Sequence, residues 1–361
     1  MSDQTLPGHH LEVATSARSD LRAWHAESWV RPLAVFAATF ALWIGVVGVG
    51  LWVEHWLVRA ALGVPLALLS GRLFTLAHDA GHGSYSTSRA VNAVVGRLAF
   101  VPSVHVFGLW RHHHDLHHRY TNLRGRDFVW TPLSVDEYRA LPSRRQTLHR
   151  AFRHPSSLGL GLHYATEIWA PRMVWPRKHH GLPNRRGLIA DTLLLYGLLV
   201  SAGVAVWAFM RHVDPDRVGD VASWISAAVF LFVLPLIGTH WLIGFVIYLN
   251  HTHPDVVWYD DAGEWAQHEV QLEGSTGLRF RPVRHALMPR RIMNHTAHHV
   301  DPGVPLERLA EAQGHLVDIY GDRIVTPEFS WGWLRDVLDD CQLYDYDGRR
   351  WLTFDAAQVS P

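Results

Sequence analysis

Four long apolar stretches, 33–53, 56–77, 192–210 and 222–249, limit what this chain can become. Inside hydrocarbon every peptide N–H and C=O needs a partner within the protein, so a spanning segment is a helix or a strand of a closed barrel. About 20 residues of helix cross a bilayer, and each stretch approaches or exceeds that length. The stretch 33–53 carries no charged residue. Arg59 and Arg72 interrupt 56–77 toward its ends, where long cationic side chains can reach the interface. A fifth stretch, 91–109, holds Arg97, His105 and Pro102, and reads as an interfacial or re-entrant element rather than a span. The last stretch outruns one bilayer thickness, so its final turns extend past the membrane toward Asn250 and His251.

The connections orient these spans. The segment 111–186 is rich in arginine, including Arg144, Arg145, Arg150 and Arg153. Cytoplasmic loops near spans carry the Lys/Arg excess, which puts 111–186 in the cytosol. The short connection 211–221 sets Asp214, Asp216 and Asp220 against Arg211 and Arg217, with no cationic excess, as an outer loop should. Four spans then place both termini on the cytosolic side. Residues 1–31 lack the apolar core and cleavage site of a signal peptide and read as a cytosolic tail. Within the loop, 158–175 is apolar and Trp-bearing and reads as a surface-lying helix. Beyond residue 254 the chain is polar, with short helices expected over 307–320 and 331–341. The expected fold is all-α: a polytopic membrane protein with four transmembrane helices and a cytosolic helical cap. Its parts are a tail (1–31), a membrane domain (32–316) and a C-terminal extension (317–361).

Composition removes other classes. Lys plus Arg and Asp plus Glu both number 33, so there is no basic footprint for nucleic acid. Cys341 is the single cysteine, which excludes an intramolecular disulfide framework and any CxxC metal motif.

Histidine points to the chemistry. His114, His117 and His118 stand at i, i+3 and i+4, so on a helix their rings leave one face. His78 and His82 stand at i and i+4, and His295, His298 and His299 repeat the HxxHH spacing. Neutral imidazole suits iron, zinc, copper and nickel. Three such boxes gathered at the cytosolic ends of spans point to a metal site at one membrane face. A metal transporter or sensor would instead place His and Asp along a path within the spans, where only His240 lies. His240 either lines a path or serves helix packing. His112 and His113 share no face with the whole second box and read as surface or supporting residues. His9, His10, His179 and His180 read as surface residues.

The order HxxxH, HxxHH, HxxHH among long apolar segments resembles the membrane fatty acid desaturase family. The resemblance is carried by His78-Asp-Ala-Gly-His82, by 110–122, by 294–306 and by Asn250-His-Thr-His-Pro254. It runs from about residue 33 to residue 316. The third box opens with His295, which with Asn250-His251 looks like the methyl-end class acting on acylated lipid. The resemblance implies two ferrous ions, dioxygen as co-substrate and a double bond made in a long acyl chain. It implies as ligands His78, His82, His114, His117, His118, His295, His298 and His299, with a ninth from His251 or, as the alternative, His253. Trp110 would wall the acyl pocket, and Asn250 would hold a metal-bound water. Ligating His residues usually pass their second N–H to a carboxylate or carbonyl. Asp79, Asp115 and Asp301 are candidates for that support, as are Asp260, Asp261, Glu264 and Glu273. Neither a GxGxxG fingerprint nor a fused heme motif occurs, so a separate ferredoxin or cytochrome b5-type donor is expected. The arginines near 144–153 would dock it or bind anionic headgroups. The carrier could be a glycerolipid, coenzyme A or a carrier protein. A hydroxylase or a carotenoid ketolase is the alternative reading within the same superfamily.

Overall fold

The computed structural model describes residues 16–177, 182, 185–280 and 291–358. Its contacts divide the chain into two units. The first comprises Glu27–His112 and Tyr164–Ile243, and the second 16–26, His113–His163 and 244–358.

The apolar stretches form helices α1 (Val30–Trp52), α2 (Trp56–His82), α5 (Arg185–Val213) and α6 (Val221–His251), each long and apolar enough to cross a membrane. Two shorter helices, α3 (Arg89–Ala99) and α4 (Phe107–Arg119), lie between α2 and α5. Helix α2 continues past its apolar part, so His78 and His82 ride on its last two turns. Gly83 ends it at φ +77°, a left-handed conformation that a side chain would strain. The Ser88 hydroxyl then accepts the Val91 N–H and starts α3. Between Arg89–Ser103 and Phe107–Arg119 the chain bends by 98°. Pro102 and Val104, at φ +53°, mark the bend, and it agrees with the re-entrant reading of 91–109.

Small residues let these helices approach closely, as membrane packing requires. Gly50 on α1 faces the Phe230 ring, and Gly63 and Ala67 on α2 meet Leu234 and Gly238 on α6. Phe230 lies in a π-helical turn, Val229–Val233, that interrupts α6. Arg59 departs from the expectation of a side chain reaching for the interface. It is buried, donating to the Gly50 and Val53 carbonyls at 2.9 and 2.8 Å and to the Ser226 hydroxyl at 2.9 Å. The guanidinium thus satisfies the carbonyls that the end of α1 leaves without helical partners.

The second unit is built from short helices around a core that includes Trp258, Tyr344 and Phe329. A capping box between Ser134 and Glu137 starts the helix Val135–Ala140. Helices at Leu309–Tyr320 and Trp331–Asp340 lie where the sequence puts them. The all-α expectation misses one element, a two-stranded antiparallel hairpin of β1 (Leu343–Asp345) and β2 (Arg350–Leu352). Its signals are aromatic residues on either side of Asp347-Gly348, a turn-forming pair.

The second unit adds a contact for the expected tail and corrects the reading of one arginine. Part of the N-terminal tail is docked, with Ala17 and Leu21 buried and His25 Nε2 at 2.6 Å from Asp301 Oδ2. Arg153 does not belong to a basic surface. Its guanidinium is buried, 4.4 Å from the Trp130 ring centroid and 4.9 Å from that of Tyr248.

Candidate metal centre

Four histidines from three separate stretches meet inside the second unit. His117 comes from α4, His251 from the end of α6, and His295 and His299 from the short helix α7 (His295–Val300). All four are buried, and one ring nitrogen from each lies within 4.8 Å of the others. His251 Nε2 is 3.1 Å from both His117 Nε2 and His295 Nε2.

The far side of each ring fixes its tautomer. His117 Nδ1 is 2.9 and 3.0 Å from the two Asp127 oxygens. His251 Nδ1 faces the Gly274 carbonyl at 3.3 Å, and His295 Nδ1 faces the Ile292 carbonyl at 3.2 Å. His299 Nδ1 faces Gln271 Oε1 at 3.3 Å and the Thr121 hydroxyl at 3.1 Å. The Gln271 amide is oriented by its own NH2, which donates to the His118 carbonyl at 2.7 Å. Carbonyls and carboxylates only accept, so every Nδ1 carries a proton, and in the neutral ring each Nε2 is left with a bare lone pair. Burial first, then the neighbouring rings, hold His299 well below the usual histidine pKa, which keeps it neutral.

Bare lone pairs 3.1 Å apart repel, and no proton stands between them to bridge the rings. A cation among them removes the conflict. With imidazole–metal bonds of about 2.1 Å, donors at right angles stand about 3.0 Å apart, close to the two spacings found. Each ring is also backed by an acceptor, as metal-bound histidine requires. The donor set therefore fits a divalent transition metal.

The other box residues lie beside this cluster or in the first unit. His114 Nε2 is 3.1 Å from His118 Nε2, and the His298 ring centroid is 4.6 Å from that of His118. In the first unit the His78 and His82 rings are 4.9 Å apart, both edge-on to Trp110. His78 Nδ1 lies 3.2 Å from Asp79 Oδ1. Asn250 is fully buried, and neither polar atom of its amide has a hydrogen-bond partner among the described residues. His253 sits outside the cluster, its Nδ1 accepting the Asp255 N–H at 3.2 Å. His113 is buried near Phe128, and His112 is half-buried. His9, His10, His179 and His180 lie outside the described residues.

The carboxylates divide in a way the sequence did not show. Asp79 does meet a box histidine, whereas Asp115 is exposed. Asp301 is buried against His25 and the Gly303 N–H. Asp260 and Glu273 pair with Arg124 and Arg323, Glu264 pairs with Arg349, and Asp261 caps the Glu264 N–H. The carboxylate behind the cluster is Asp127, absent from the sequence reading, as were Gln271 and Thr121. Asn122 at φ +58° and Gly125 at φ +73° turn the chain after the second box and bring Asp127 back under His117. The Asn122 and Val129 N–H groups hold the carboxylate in place, at 3.0 and 3.1 Å. An Asn and a Gly followed by an Asp, one turn past a box, was the available signal.

Asp127→Ala should weaken metal binding by about 10–100-fold, the usual effect of losing a partner behind a metal-bound histidine. Asp115→Ala should leave it unchanged. Iron per chain after a graded chelator challenge, read by elemental mass spectrometry, checks both.

A family model described as fatty acid desaturase matches residues 54–328. The chloroplastic omega-6 fatty acid desaturase of Spinacia oleracea is 24% identical over 355 residues, covering 98% of this chain and 71% of that protein. The sn-1 oleoyl-lipid 12-desaturase of Synechocystis is 28% identical over 275 residues, 75% of this chain and 72% of that protein. Its Picosynechococcus namesake is 27% identical over 288 residues, 78% and 77% of the two chains. The chain belongs to the fatty acid desaturase family, and is an oxidoreductase that desaturates acyl chains.

Proposed function

We propose that this protein inserts a double bond into an acyl chain already carried on a membrane glycerolipid, on the methyl side of an existing double bond. Relatives named omega-6 and oleoyl-lipid 12-desaturase support the substrate class, as does the Asn250-His251 element. The observation that carries the chemistry is the convergence of four bare Nε2 lone pairs at His117, His251, His295 and His299.

On this reading those four rings hold one iron ion. His78, His82, His114, His118 and His298 remain the further ligands that the order of the boxes in the sequence implies. Bound there, the two ions supply, with dioxygen and two electrons, the oxidising power to remove hydrogen from adjacent carbons. The protein's part is positional. Asp127, Gly274, Ile292 and Gln271 fix the rings so that no reorganisation is needed on metal binding. The buried ring set keeps bulk water away, which limits side reactions of a strong oxidant. The Asn250 amide is the group available to hold a solvent molecule at the centre.

The electrons come from a separate ferredoxin or cytochrome b5-type protein. Arg144, Arg145 and Arg150 remain the candidates for docking it. Arg153 does not, since it is buried. Residues 32–316 form the membrane catalytic domain, with 317–361 as its extension and both termini in the cytosol. The arginine-rich connection between α4 and α5 supports that orientation. Reporter fusions after Arg145 should read as cytosolic and fusions after Asp216 as external, and the reverse pattern contradicts it.

Purified protein with iron, a reductase–ferredoxin pair, oxygen and oleoyl glycerolipid should yield an acyl product two hydrogens lighter by mass spectrometry. A product heavier by one oxygen makes the protein a hydroxylase. Conversion of a carotenoid in place of any acyl lipid makes it a ketolase.

A further inference from the structure

A buried tyrosine in the first unit has no part in the chemistry above. Tyr164 is 1% exposed, and its hydroxyl lies 2.6 Å from His105 Nε2. The direction of that hydrogen bond is fixed by the groups behind it. The Phe100 carbonyl only accepts, so the Ser103 hydroxyl, 3.2 Å away, donates to it. Ser103 Oγ therefore accepts from His105 Nδ1–H at 3.0 Å. His105 Nε2 is left bare and accepts the Tyr164 O–H. The phenol is held against a base with its proton already aimed at it. Tyr164 also opens a π-helical turn, Tyr164–Trp169, a distortion frequent at functional sites.

Aromatic contacts link this pair to the first histidine box within the same unit. The Trp110 ring centroid is 5.3 Å from that of His78 and 6.1 Å from that of His82. Phe100 is 5.1 Å from Trp110 and 5.4 Å from His105. An oxidisable indole touches the box, and an oxidisable phenol with its own base stands behind it.

We propose that Trp110 and the Tyr164–His105 pair form a one-electron relay that protects the centre when dioxygen is activated without an acyl chain in place. The inference rests on the metal-centre reading given above. In each event Trp110 would give one electron to the ions held beside it once dioxygen had oxidised them. The Trp110 radical cation then regains one electron from Tyr164, and the phenolic proton moves to His105 Nε2. The products are a neutral tyrosyl radical and an imidazolium that keeps its Nδ1–H bond to Ser103. Proton transfer along the existing hydrogen bond matters in these apolar surroundings, where a charged phenol without a partner would be costly. One electron from the external donor, with return of the proton, restores the pair.

The test uses the full-length iron-loaded protein in nanodiscs, reduced and then mixed with oxygen in the absence of acyl lipid. Freeze-quenched samples should show a radical in electron paramagnetic resonance whose hyperfine structure collapses when the tyrosines are ring-deuterated. Tyr164→Phe should abolish that signal while iron content and lipid-coupled turnover stay at wild-type level. Peptide mass spectrometry after repeated uncoupled cycles should show oxidation at Trp110, His78 and His82 rising several-fold in Tyr164→Phe. A tyrosyl signal of equal size in Tyr164→Phe, or equal oxidation of the two proteins, overturns the relay even where iron and product confirm the desaturase. A second arm needs no metal: flash photoionisation of the metal-free protein generates tryptophanyl radicals. The share that converts to tyrosyl radical should fall equally in Trp110→Phe and Tyr164→Phe, and an unchanged share in either overturns the relay.

Discussion

The hydrogen bond from His117 Nδ1 to Asp127 shows the constraint on which the centre depends. Each of four rings is tied from behind by a group that can only accept there, so four Nε2 lone pairs must face one another. That arrangement is unfavourable for neutral rings alone and favourable around a cation. A metal bound among these rings would therefore be coupled to the local fold, because the rings and their supports come from stretches far apart in the chain. The turn at Asn122–Gly125, the carbonyls of Ile292 and Gly274 and the Gln271 amide all act through this one requirement.

The rest of the molecule supplies what those rings cannot. Apolar helices α1, α2, α5 and α6 carry residues that satisfy their own backbone groups and pack through small residues at Gly50, Gly63 and Gly238. One box and His251 sit on continuations of long helices: His78 and His82 end α2, and His251 ends α6. Within the second unit, the short helix α7 and the segment around Gln271 meet His251 at the end of α6.

Much of this was legible in the residues. Hydropathy located all four long helices to within a few residues at most ends, because membrane burial demands uninterrupted apolar runs. Helical spacing singled out the histidines, of which His117, His251, His295 and His299 converge while His253 lies outside their group. Supporting groups were harder to read. Asp115 sits inside a box and is exposed, whereas Asp127 lies outside it and holds His117, since a left-handed turn and not sequence proximity brings it there. Carbonyl partners such as those of Ile292 and Gly274 leave no trace in residue identity at all. Arg59 and Arg153 misled for a related reason. A charge in the sequence does not reveal that carbonyl ends or aromatic faces will bury it.

The convergence of the four Nε2 atoms is tested most directly by iron-edge anomalous diffraction from crystals of the metal-loaded protein. An anomalous peak about 2.1 Å from Nε2 of His117, His251, His295 and His299 is the expected result. A peak bound through any Nδ1, or held by a carboxylate in place of these rings, contradicts the tautomers fixed by Asp127, Gly274, Ile292 and Gln271.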